Sequence, residues 1–383
     1  MTITVQIVPP VEIEPQVTVG DTILVSTTIM ASIEVPSPRP PKGLKILLIG
    51  PTVFKLPLQG YGGTEALVMS LTLEYQKAGH QVTVVAPEES VLPQGVTLFP
   101  VPLRCSEEEA FSKYRSILTQ FDIIHDHTFE SWAYLESVGI DPPLPIIKTH
   151  HTDPSIWATP PPVPHPCLVG ISTDHARRLS QAYGVATRRV YNGIDLSFYS
   201  PPPEGSKRNG RLLWLFRYTP EKDPLSAMQL AKRLRIPLDC YGDTEIVSDP
   251  AYIERCRAEA DGLICRWYPG VSREKTVELY RTYRALLYTP NWLEPFGLTI
   301  AEAQACGLPV LTLDRGSMKE LVADSISGYV CDDISGLEKV LKEGCLAHLK
   351  TEDIVANAQK FSKEIMAEAY LKLFAQVVAG GVW

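Results

Sequence analysis

The sequence predicts an α/β protein built from two Rossmann-like, parallel-sheet domains that face a cleft. Three observations predict it. Short apolar runs alternate with helical patterns, first from Leu44 and again from Arg211. Pro201-Pro202-Pro203-Glu204-Gly205-Ser206 separates the two series in the manner of a linker. Polar or histidine residues stand at the carboxyl ends of the apolar runs, where open parallel sheets bind ligands. Such alternation implies parallel strands covered by helices on both faces. A chain of 383 residues has room for two cores.

Residues 1–43 read as an N-terminal extension. Ile3–Val8 and Val17–Ser32 are rich in valine, isoleucine and threonine, and Pro36–Pro41 forms a stiff Pro-rich linker. The extension reads as a strand pair against the body, as a loosely held tail, or as an oligomer contact. The first domain is expected over 44–200. Lys45–Gly50 is a short apolar strand, Thr64–Ala78 is helical with Gly79 as its cap, and Val82–Ala86 is the next strand. Asp122–His127, Ile146–His151 and Leu168–Ser172 are further strand ends. The second domain is expected over 207–350. Its strands read as Leu212–Phe216, Leu238–Tyr241, Leu263–Tyr268, Ala285–Tyr288 and Val310–Leu313. Residues 351–383 carry one long helix, with an apolar stripe over Thr351–Val378.

The segment Asn291–Val330 is the most informative. Glu294 and Glu302 flank Pro295-Phe296-Gly297-Leu298, a turn that opens a helix which stops at Gly307. The backbone N–H groups at Gly297, Leu298 and Thr299 make an anion site, with Phe296 beside it. An anion between two hydroxyl-reading carboxylates describes a nucleotide-sugar. Arg217 and Lys222 follow a strand, and together they suit a diphosphate: arginine grips two oxygens and lysine adds a point charge. His125 and His127 share a face at a strand end, so one could hydrogen-bond a sugar hydroxyl. Gly62-Gly63, followed by a helix, permits close approach of a phosphate or sugar. Trp267 and Tyr268 stand at a strand end as base-pocket candidates, with core packing as the alternative.

Taken in order, these motifs resemble glycosyltransferase family 4 over residues 44 to about 345. The resemblance rests on Glu294–Glu302 as its E-x7-E region and Gly62-Gly63-Thr64-Glu65 as its glycine loop. It rests also on Asp122–His127 as its D-x-x-H-x-H element, Val190–Asp195 as its N-G-x-D segment, and Arg217–Lys222 as its R-x4-K element. It implies a GT-B fold, a retaining transfer from a nucleoside-diphosphate sugar (UDP favoured) to a hydroxyl acceptor, and no essential metal or other cofactor. His127, Glu294, Arg217 and Lys222 then take catalytic roles. Gly62, Gly63, Trp267, Tyr268, Phe296, Gly297, Leu298, Thr299 and Glu302 join Arg217 and Lys222 on the donor. Residues 351–383 are implied to pack back on the first domain. Two departures stand out: Phe216 and Asp223 occupy positions where the family has glycine.

Composition narrows the partners. The net charge is −8 with no long basic run, which argues against nucleic acid and a strongly basic membrane-docking face, though not against weak peripheral contact. No apolar stretch approaches the roughly 18–20 residues of a membrane span, and no signal-peptide pattern opens the chain. The eight cysteines are scattered without C-x-x-C, as buried thiols in the reducing cytoplasm are. Two other classes fit the residues. One is a nucleotide-sugar-binding protein without transfer activity. The other is a metal-dependent hydrolase using His125, His127, His150 and His151 with Asp126 and Asp153. Donor binding without turnover would mark the first, and metal content the second.

Overall fold

The computed structural model describes residues 42–58, 60, 62–136, 144–156, 167–244 and 249–383. The strand-like runs of the extension and its Pro-rich linker lie outside the described residues. Two sheets, all parallel, organise the rest. The first contains β1 (Lys45–Ile49), β2 (Gln81–Pro87), β3 (Thr97–Val101), β4 (Ile123–Asp126), β5 (Ile146–Thr149), β6 (Leu168–Gly170) and β7 (Thr187–Arg189), in the order 3-2-1-4-5-6-7. Its helices are α1 (Gly63–Lys77), α2 (Glu107–Tyr114), α3 (Trp132–Glu136) and α4 (Thr173–Tyr183). The second contains β8 (Leu212–Leu215), β9 (Leu238–Gly242), β10 (Cys265–Pro269), β11 (Ala285–Tyr288), β12 (Val310–Leu313) and β13 (Gly328–Cys331), in the order 10-9-8-11-12-13. Around it lie α5 (Pro224–Leu234), α6 (Pro250–Glu259), α7 (Arg273–Thr282), α8 (Leu298–Ala305), α9 (Met318–Leu321) and α10 (Ile334–Lys342).

The unbroken apolar run of β1 follows from burial on both faces. Ile46 and Leu48 join a cluster with Leu67, Leu71 and Tyr75 of α1, while Leu47 and Ile49 join one with Phe111 and Tyr114 of α2. Strands β3, β7 and β13 were not legible in the sequence. Each lies at a sheet edge, where one flank is unpaired and the apolar run is short or polar, as in Thr187-Arg188-Arg189. The strand expected from Leu263 begins instead at Cys265. Asp261 Oδ1 accepts the N–H groups of Leu263, Ile264 and Cys265, each at 2.9 Å, and holds a turn there.

The single C-terminal helix expected over Thr351–Val378 is corrected to two. Helix α11 (Thr351–Ala358) ends in a 3-10 turn, and Ser362 caps α12 (Lys363–Val378) by accepting from Ile365 N. The break lies where the chain passes between the lobes. Ile194 N donates to Phe361 O at 2.8 Å, Lys363 N donates to Ile194 O at 2.9 Å, and Lys363 Nζ pairs with Asp195 at 2.6 Å. A continuous helix would leave no strand-like backbone to make this pairing. Beyond it, Met366, Tyr370, Phe374 and Val377 of α12 enter the apolar cluster of the first sheet.

Candidate active site

Strand β11 ends at Tyr288 and the loop Thr289–Gly297 leads into α8. Gly297 adopts φ +93°, a left-handed conformation that suits glycine, and no side chain caps the first turn of α8. This uncapped N-terminus carries the positive end of the helix dipole. It faces the other lobe directly: a Cβ added to Gly63, at the start of α1, would lie 3.0 Å from Leu298 Cδ1. The glycine loop and the anion site, 235 residues apart, are therefore brought together.

Glu294 is 5% exposed and Lys222 8% exposed. Lys222 Nζ donates to Glu294 Oε2 at 2.5 Å and to Tyr288 OH at 3.2 Å. Tyr288 OH and Trp292 Nε1 also donate to Glu294 Oε2, the latter at 3.2 Å. Lys222 Nζ stands 4.4 Å from the Trp292 ring centre. Burial lowers the lysine's affinity for its proton, and the glutamate opposes this. Arg217 pairs with Glu221 at 3.6 Å in the same loop.

Glu302 lies one turn into α8. Tyr280 OH donates to its Oε2 at 3.1 Å, Tyr199 adds a second hydrogen bond, and the Arg273 guanidinium is close enough to favour the charged form. Burial nevertheless wins and raises the carboxyl pKa. Arg273 also donates to Tyr199 OH at 3.2 Å. A small open cavity lies beside this group, lined by Ala66 and Ser70 of α1, by Asp195, and by Arg273, Leu298 and Glu302.

In the first lobe, His125 is fully occupied: its Nδ1 meets Tyr75 OH at 3.1 Å and its Nε2 meets Thr149 Oγ1 at 3.0 Å. His127 Nδ1 meets His151 Nε2 at 2.8 Å, and His127 Nε2 is buried with no partner among the described residues. His150 bonds Tyr183 OH at 3.1 Å. Burial drives all four histidines well below their ordinary range, so they are neutral. The metal-site alternative placed them around an ion; the structure instead pairs His127 with His151 and sets His125 and His150 against hydroxyls. Among the described residues no group of three or more histidines, cysteines or acids has the geometry of a metal site.

Two models of known families match in succession. Residues 61–198 match "Glycosyltransferase Family 4" and residues 212–361 match "Glycosyl transferases group 1".

The chain belongs to glycosyltransferase family 4.

Phosphatidyl-myo-inositol mannosyltransferase of Mycobacterium leprae is 24% identical over 88% of this chain and 98% of its own length. D-inositol 3-phosphate glycosyltransferase of Streptosporangium roseum is 25% identical over 56% of this chain, which spans 58% of that relative's length. Two solved structures share the fold. AviGT4, a glycosyltransferase involved in avilamycin A biosynthesis, superposes with TM-score 0.68 and 20% identity over 89% of this chain and 99% of its own. Anabaena HepE in complex with UDP and glucose does so with TM-score 0.66 and 16% identity over 85% of this chain and 98% of its own. The architecture is GT-B. Among the described residues no helix is long and apolar enough to cross a membrane.

The two departures of this family 4 glycosyltransferase have local reasons. Phe216 stacks on Tyr288 at 3.9 Å and 18°, and so braces the hydroxyl that holds Glu294 and Lys222. Asp223 takes the left-handed φ of +43° itself and caps α5, accepting from Ser226 N at 3.1 Å. Phe296 needs correction as a donor contact. It is 1% exposed and packs on Tyr191 and Phe361, so its ring belongs to the core between the crossovers. Trp267 and Tyr268 point to opposite faces of β10. The first stacks on Tyr218 and lies beneath Arg257 of α6; the second stacks on Tyr241 at 4.5 Å. Sequence reasoning missed Tyr199, Arg273, Tyr280 and Tyr288, and offered His151 only as a metal ligand. Only Tyr288, at the end of an apolar run just before the E-x7-E segment, carried a local signal.

Proposed function

We propose that this glycosyltransferase transfers a sugar, with retention, from a nucleoside-diphosphate sugar to a hydroxyl acceptor, without an essential metal. The observation that carries the reading is the uncapped α8 N-terminus, which lies between Glu294 and Glu302 and faces Gly63 across the seam. That N-terminus, Lys222 and Arg217 stabilise the leaving diphosphate, where negative charge develops as the C1–O bond breaks. Glu302 accepts from the ribose hydroxyls in the cavity beside Arg273. Glu294 accepts from the transferred sugar. The acceptor oxygen attacks the face the phosphate leaves, and its proton passes to the departing phosphate oxygen. His127 Nε2, unpartnered among the described residues, meets a sugar hydroxyl once its pocket opens. HepE was solved with UDP and with UDP-glucose, which supports UDP as the nucleotide. The names of the inositol-directed relatives support a polyol or sugar hydroxyl as acceptor.

Calorimetry with UDP alone tests the site without knowledge of the acceptor. Glu302→Gln loses charge-assisted acceptance, worth about 1.5–3 kcal/mol, so UDP affinity should fall roughly tenfold to a hundredfold. Glu294→Gln should bind UDP almost as wild type, its loss appearing in turnover. The reverse ranking would exchange the two roles, and no effect from either would remove this site from the reading.

A further inference from the structure

Away from the cavity, the lobes are joined by a second set of contacts that the transfer chemistry does not use. Glu320 of α9, in the second lobe, reaches the start of α4 in the first. Its Oε2 accepts from Thr173 N and its Oε1 from Asp174 N, both at 2.8 Å. Ser172 already caps this helix by accepting from His175 N. Glu320 therefore completes the same helix end with a charge of the sign its dipole favours. Tyr191 OH, on the crossover, also donates to Glu320 at 2.9 Å.

The residues just before α9 hold the Glu294 loop. Ser317 N donates to Glu294 O at 3.0 Å, and Ser317 Oγ donates to Phe296 O at 2.7 Å. Gly316 lies so close that a Cβ there would stand 2.3 Å from Glu294 O. From the other side Arg178 of α4, one turn beyond the Glu320 contact, donates to Leu293 O at 3.3 Å. Arg178 is itself fixed by Asp153 and Asp174. The start of α4, α9 and the backbone of residues 293–296 thus form one closed set of contacts, with Glu294 inside it.

We propose that Glu320 is a positioning residue: by gripping the start of α4 it fixes the closed arrangement of the lobes, and through Arg178 and Ser317 that arrangement sets Glu294 for transfer. This rests on the proposed role of Glu294. A diphosphate held by the second lobe alone does not need the grip, whereas turnover does.

The test compares wild type with Glu320→Gln, Glu320→Asp and Tyr191→Phe. Glu320→Gln turns an amide N–H2 toward one of the two helix N–H groups and breaks the paired acceptance. UDP affinity by calorimetry should stay within about twofold of wild type. UDP release from UDP-glucose should slow about tenfold at saturating donor. Glu320→Asp keeps the charge and should recover part of that loss. Tyr191→Phe, which leaves both helix contacts, should show the same pattern more weakly and serves if Glu320→Gln does not fold. Small-angle scattering without ligand should give Glu320→Gln a larger radius of gyration than wild type. Equal losses in UDP affinity and turnover, or unchanged turnover with unchanged scattering, overturn the proposal. Failure of wild type to bind UDP would count against the functional reading instead, and the scattering comparison would then decide the latch by itself.

Discussion

The two lobes differ in the groups they bury around the candidate site. In the second lobe the buried polar groups are charged and matched: Lys222 with Glu294, and Arg273 with Glu302. In the first, neutral imidazoles and hydroxyls gather there, with His125 between Tyr75 and Thr149 and His127 against His151, beside the buried pairs Lys148–Asp126 and Arg178–Asp153. A lobe that must receive a diphosphate needs fixed charge, and charge can be buried only with a partner. A lobe that presents hydrogen bonds to uncharged hydroxyls gains from groups that stay neutral.

The largest break in this contrast should come from Lys222→Ala. Removing one partner of a buried pair leaves Glu294 uncompensated and should cost about 3–5 kcal/mol, read as a lower urea midpoint. Lys222→Met combined with Glu294→Gln should recover much of that loss, because no unpaired charge remains. In the first lobe His127→Ala strands only a neutral His151 nitrogen, and about 1–3 kcal/mol is expected. A larger cost for His127→Ala than for Lys222→Ala would invert the comparison.

Acid should sharpen it. The folded state holds His125, His127, His150 and His151 neutral well below their ordinary range, while the unfolded chain protonates them near pH 6.5. Between the two values the unfolded state binds more protons. Stability is therefore complete above about pH 6.5 and falls as pH drops through it, at up to ~1.4 kcal/mol per pH unit for each histidine. Glu65, raised to about 7 by burial, and Glu107 and Glu302, also raised by burial, act in the opposite sense, while His80 and His175, lowered by burial, add to the four. Urea titrations at pH 7.5, 6.5 and 5.5 should show the decline, and His151→Gln should flatten it. A pH-independent midpoint across this range would mean the histidines are not held neutral.

The smallest expected effect is that of excess EDTA, which should leave turnover unchanged. On the proposed reading, Arg217, Lys222 and the α8 N-terminus stabilise the leaving group where other transferases use a metal. Loss of activity with chelator, restored by a divalent ion, would break the assignment of charge to the second lobe.

Whatever depends on neighbours in the chain was written in the sequence. Apolar runs punctuated by glycine and proline gave the strands of both sheet centres, because burial on both faces leaves few polar positions there, and His125 and Asp126 of β4 stand at the carboxyl end. Gly297 after Glu294 gave the start of α8, because only a left-handed residue turns the loop into that helix. What depends on distant segments meeting was not written there. Tyr199, Arg273 and Tyr280 converge on Glu302 from the crossover and α7, and no local periodicity marks such a meeting. The C-terminal stripe reads as one helix because both halves are apolar; only the pairing of Ile194 with Ser362 between the lobes breaks it. Likewise Glu320 looks like any surface glutamate until the tertiary fold brings two backbone N–H groups of α4 against it, 147 residues back along the chain. Local sequence sets which hydrogen bonds a segment must make, and the packing of the two lobes decides where the remaining ones go.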